Sequence, residues 1–60
     1  VRLTERQIEP NDELAGRRIS EIPKRDGMQI TMIHRNGKVI IPKGYTKLKS
    51  GDLMVINRVE

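Results

Sequence analysis

The chain has 60 residues, 35% hydrophobic and 33% charged, with a formal net charge of +4, no cysteine, and Tyr45 as its sole aromatic. So short a chain makes one small domain with a thin core, since a domain of this size buries only roughly 60% of its unfolded surface. A disulfide framework and a cysteine-ligated zinc site are excluded, no apolar run approaches the ~20 residues of a membrane-spanning helix, and no secretory signal pattern opens the chain.

In chain order, residues 2–9 read as a strand ending at Pro10 and an Asn11-Asp12 turn. Leu14, Ile19 and Ile22 then fall at helix-like separations, which predicts a short helix over 18–22, closed before Pro23. Asp26-Gly27 reads as a turn. Residues 28–34 (Met-Gln-Ile-Thr-Met-Ile-His) are rich in strand formers, with Met28, Ile30 and Met32 on one parity. Asn36-Gly37 follows, suited to a type I′ hairpin turn because both residues tolerate positive φ. Val39, Ile40 and Ile41 form the return strand, which Pro42 ends. Residues 43–49 hold Leu48 as their one aliphatic anchor, which predicts a loop pinned to the core. Ser50-Gly51-Asp52 is a turn before a last strand over 53–59, apolar on both parities: Leu53, Val55 and Val59 against Met54 and Ile56.

The expected class is α+β: a small, mainly antiparallel sheet with one short helix, in the order strand-helix-strand-strand-strand. The aliphatic set is small for an independent core. Together with the two-sided last strand, this predicts a homodimer that buries a sheet face or edge, with Ile56 a candidate interface position. Beginning at Val1, not Met, the chain is expected to be a piece of a longer protein.

Chemistry is sparse. His34 is the only histidine and reads as a solvent-facing residue at a strand end. No Ser/His/Asp motif, carboxylate pair or metal-ligand spacing is present, and no enzyme is predicted. Asp52, after Gly51, reads as an acceptor for turn amides. The five glycines are dispersed, one per turn, and make no phosphate cradle. Basic residues, among them Arg17, Arg18, Lys24, Arg25, Lys43, Lys47 and Lys49, are spread along the chain. They read most simply as a solvated face, and more sharply as a surface for an anion. The hairpin offers the more pointed arrangement. Arg35 can fork onto a phosphate, Asn36 can read a base edge, and Ile40 with Pro42 can cover a purine ring.

Three segments together resemble the RCK C-terminal, or TrkA-C, family. Residues 14–22 (Leu-Ala-Gly-Arg-Arg-Ile-Ser-Glu-Ile) resemble its opening. Ile30-x-x-Ile33-x-Arg35-x-Gly37-x-x-Ile40-Ile41-Pro42 resembles its central hairpin, and Thr46-x-Leu48-x-x-Gly51-Asp52 resembles its closing segment. The resemblance implies a dimerising regulatory domain of a potassium or other ion or solute transport protein, on the cytoplasmic side of the membrane. It also implies a possible cyclic dinucleotide or other small anionic effector, bound by Arg35, Asn36, Ile40 and Pro42. No other cofactor and no metal are implied.

Residues 37–43 and 48–52 also resemble AbrB-type swapped-hairpin DNA-binding domains, an alternative that the positive charge suits. Only eight residues separate Pro42 from Gly51, and Gly44-Tyr45-Thr46 starts a helix poorly. That alternative also leaves residues 14–22 unexplained. Nucleic acid is therefore not the expected partner.

Overall fold

In a computed structural model, residues 2–23 and 27–59 are described. The Asp26 half of the expected Asp26-Gly27 turn, and the cations Lys24 and Arg25, lie outside the described residues.

Among the described residues, four strands make one antiparallel sheet: β1 (Arg2–Gln7), β2 (Met28–Arg35), β3 (Lys38–Ile40) and β4 (Leu53–Arg58), in spatial order β1-β4-β2-β3. The two termini of the sheet therefore pair, Arg2 opposite Arg58. No helix among the described residues is long and apolar enough to cross a membrane.

The expected short helix is a correction. Only a 3-10 turn forms, over Ile19–Glu21. Glu21 accepts the Arg18 amide at 2.8 Å and Ile22 N–H donates to Ile19 at 3.2 Å, and Pro23 then blocks extension. The backbone before it is spent on other partners. Gly16 N–H donates to Leu48 at 2.7 Å, Leu48 N–H to Arg17 at 2.9 Å, and Ile19 N–H to Thr46 at 2.9 Å. The two irregular segments thus satisfy each other across the core, where a longer helix would have withdrawn those groups.

The hairpin forms as expected. Arg35 faces Lys38 across a two-residue turn, with Asn36 at φ 50° and Gly37 at φ 76°. The β2 parity does not hold along its length. Ile30 faces Ile56, Met32 faces Val55 and Ile33 faces Met54, so Thr31 is a bulge. Its hydroxyl donates to the Val55 carbonyl at 3.1 Å, an acceptor the broken ladder would leave short. Past the bulge the faces exchange: Met28, Ile30 and Ile33 point inward, and Met32 joins the outer face.

Inner rows across the sheet run Thr4–Ile56–Ile30 and Arg6–Met54–Ile33–Ile40. On that face Ile30, Ile33, Met54 and Ile56 bury against Ile8, Leu14, Ile19, Ile22 and Leu48. Leu48 and Ile33 are fully buried, as the anchored-loop expectation requires of Leu48. Ile56, a candidate interface position on sequence, is a core residue with 4% exposure. Outer rows run Leu3–Asn57–Gln29, Glu5–Val55–Met32 and Gln7–Leu53–His34–Val39. No segment among the described residues packs over this second face, and Leu3 and Val39 are largely exposed on it.

Candidate functional site

The hairpin and the loop before β4 meet at one charged pair. Arg35 ends β2 on the inner side, in the row position next to Ile33, so its side chain passes under the hairpin toward residues 47–52. Its Nε donates to Asp52 Oδ1 at 2.8 Å and its Nη2 to Asp52 Oδ2 at 2.7 Å. Nη2 also donates to the Lys47 carbonyl at 2.9 Å. Asp52 side-chain exposure is 1% and that of Arg35 is 23%. Asp52 Oδ2 additionally accepts the Lys49 amide at 2.9 Å, the turn role expected from sequence. The Arg35 hydrogen bonds hold the Asp52 carboxyl below the usual carboxylate range, against burial, which pushes it up. The same pairing raises Arg35.

Three donor hydrogens of the guanidinium are therefore spent, and the Nη1 side has no acceptor among the described residues. Arg35, Lys38 and Ile40 share one face of the hairpin, with Asn36 at its tip and Pro42 just past the end of β3. Ile40 is half-buried against the core and Pro42 half-buried, while Asn36 is exposed. Lys38, Lys47 and Lys49 are exposed: Lys38 stands opposite Arg35, the Lys47 carbonyl accepts from Arg35, and the Lys49 charge acts on Asp52.

The Arg35–Asp52 pair is the feature that sequence reading missed. The partners are 17 positions apart, on different elements, and no local spacing announces them. A second ion pair, Arg6 Nη2 to Asp12 Oδ2 at 2.9 Å, closes the turn after β1. Leu14 N–H donates to Asp12 at 3.0 Å, and this bond, aided by Arg6, lowers the Asp12 carboxyl.

A cleft lies elsewhere on the domain. About 660 Å³ in volume, it is floored by Met54 and Ile56 and rimmed by Arg2, Arg6 and Arg58, and none of the four hairpin candidates lines it. His34 is exposed on the outer face, its Nε2 3.3 Å from Met32 Sδ. Among the described residues, no group of three or more His, Asp or Glu side chains is placed to hold a metal ion. The chemistry available at the hairpin is recognition of an anion by cations and amides beside an apolar ledge.

A four-stranded antiparallel sheet in this order, with an irregular inner layer, is the fold of an RCK domain. A solved RCK domain with cda superposes with a TM-score of 0.83, at 23% identity, over 100% of this chain and 84% of that one. The TrkA-C domain model matches residues 3–56, and the chain belongs to that family. Among curated relatives, the Trk system potassium uptake protein TrkA homolog 2 of Methanosarcina mazei is 36% identical over 56 residues. The trkA homolog 1 of the same organism is 32% identical over 56 residues. The chain spans 12% and 14% of the lengths of these two relatives.

Proposed function

We propose that this domain is a regulatory module of a potassium or other ion or solute transport protein, working as a homodimer on the cytoplasmic side of the membrane. A small anionic effector of the cyclic dinucleotide class is its signal. The observation that carries this reading is the Arg35 guanidinium, held in place yet with one edge unspent, beside Lys38 and Ile40 on one hairpin face. An oriented fork suits a phosphate. Asn36, exposed at the tip, supplies amide donors and an acceptor, and Ile40 with Pro42 supplies apolar cover for a base. The relatives' names and the cda-bearing neighbour support the same class.

A homodimer is supported by the uncovered outer face. Met32, Leu53 and Val55 form its centre, with Leu3 and Val39 exposed beside them. A domain of this size gains much from burying such a face, since the core alone supplies only ~3–5 kcal/mol. The effector shifts the dimer between arrangements by its differential affinity, and the transport protein responds to that shift.

The test is calorimetric titration with cyclic di-AMP, other cyclic dinucleotides, mononucleotides and a short DNA duplex at two salt concentrations, with solution mass measured by light scattering. One dinucleotide bound per two chains is the expected result. Binding to none of the nucleotides overturns the effector. Salt-sensitive binding to the duplex alone would move the protein to the DNA-binding class.

A further inference from the structure

Asp52 does more than close a turn. A carboxylate with 1% exposure that takes both Nε and Nη2 of one arginine fixes the guanidinium plane and all its torsions. Without it, Arg35 would be a long, mobile side chain at a hairpin end, and any anion it bound would have to order it first. With it, that ordering is complete in the free protein, and only the Nη1 side remains for a ligand. Positive charge remains at the pair, because the Lys49 ammonium also acts on Asp52 and Lys38 stands opposite Arg35 on the hairpin. The same pair extends the β2–β4 pairing past His34–Leu53, to the loop that seats Leu48. Arg35 belongs to the hairpin, whereas Asp52, the Lys47 carbonyl and the Lys49 amide belong to the loop that seats Leu48.

Resting on the effector reading above, we propose that Asp52 is a positioning residue of the anion site. It presents the Arg35 guanidinium to the effector, so that occupancy of the hairpin is coupled to the docking of loop 43–52.

The experiment is calorimetry with cyclic dinucleotides on the wild-type chain and on Asp52→Asn, well below each protein's melting temperature. In parallel, the Arg35 Nε–H resonance is followed by NMR. Asp52→Asn is expected to weaken binding by about tenfold and to lose the protected Nε–H signal. Arg35→Met in the Asp52→Asn background should then cost less than about threefold more, because the two residues act as one unit. Should Asp52→Asn fail to fold, Asp52→Glu keeps the charge but displaces the carboxylate, and the same weakening is expected of it. Wild-type affinity in a folded Asp52 variant overturns the inference while leaving the effector reading standing. A full Arg35 effect in the Asp52→Asn background overturns it equally. A wild-type chain that binds no cyclic dinucleotide removes both readings, which separates the two failures.

Discussion

The two faces of the sheet are made from the same strands and both carry aliphatic side chains, yet they do different work. The inner face places Ile30, Ile33, Met54 and Ile56 against five aliphatic side chains from the irregular segments. The outer face places Met32, Leu53 and Val55 beside Leu3 and Val39, with nothing described above them. Val55 is nonetheless only 9% exposed. Apolarity alone therefore does not say which face is the core. The covering layer does, and here that layer is two extended segments hydrogen-bonded to each other, with a single 3-10 turn in place of a packed helix.

If the inner face carries the fold, damage there should be the most severe. Ile33 is fully buried at the centre of the inner rows. Ile33→Ala is expected to cost ~2–5 kcal/mol, comparable to the whole stability of so small a domain. Thermal and urea melts would show a largely unfolded chain. A cooperative melt near wild type would mean that the core lies elsewhere.

Gly27 ranks next. It has φ +79°, and a Cβ there would sit 2.6 Å from the Val59 carbonyl oxygen, at the bond from Val59 N–H to Gly27 O of 2.7 Å. The left-handed conformation alone costs a residue with a Cβ about 1–2 kcal/mol, and a backbone clash adds to it. Gly27→Ala should therefore lower the melting temperature by more than Gly37→Ala, where nothing lies within 4 Å. Equal losses at the two glycines would show that strain at φ is all that matters.

The Arg35–Asp52 pair gives a pH signature. The Asp52 carboxyl is depressed in the fold, so the pair's stabilisation is complete above the ordinary carboxylate value of ~3.9 and is lost as pH falls through the lowered value. Asp12 is also depressed and adds to the same acid decline. Melts at neutral pH and below about pH 4 should show a shallower decline in Asp52→Asn than in wild type. An unchanged slope would mean that the pair contributes nothing to the acid limb. At neutral pH the same substitution should cost ~1–3 kcal/mol, because it leaves an arginine without its partner. Arg35→Ala is correspondingly a poor probe of ligand binding by itself, since it strands a buried carboxylate.

The outer face should show the smallest effect on the monomer. Leu3→Lys with Val39→Lys is expected to change the stability of the folded chain by no more than ~0.5 kcal/mol per site, both being exposed. Solution mass should nevertheless fall from dimer to monomer. A dimer that survives both lysines would place the interface away from this face.

The hairpin was legible because its determinants are local. Asn36-Gly37 between two apolar runs specifies the turn by φ alone, and the register follows from a two-residue loop. The turn at Gly51-Asp52 and the anchoring of Leu48 were legible for similar reasons. Strand order and parity were not. Thr31 is one residue in a run of strand formers, and nothing in its neighbours says that it bulges, yet it decides that Met32 faces outward and Ile33 inward. The helix expectation failed because the Leu14/Ile19/Ile22 spacing serves burial against a sheet as well as it serves a helix. The backbone chose partners in residues 44–48, which are remote in sequence.

Short-range signals along the chain were enough to read a small antiparallel sheet, its central hairpin and the family to which the chain belongs. These rest on short-range turn chemistry, alternation and motif order, all of which can be read along the chain. Only in three dimensions is it settled that β4 lies between β1 and β2, that Ile56 joins the inner-face cluster while the buried Val55 lies outside it, and that Arg35 is clasped by Asp52. Each of these depends on which distant groups remain unsatisfied once the sheet has closed. That competition is settled by burial and hydrogen bonding in three dimensions, not by any residue's neighbours.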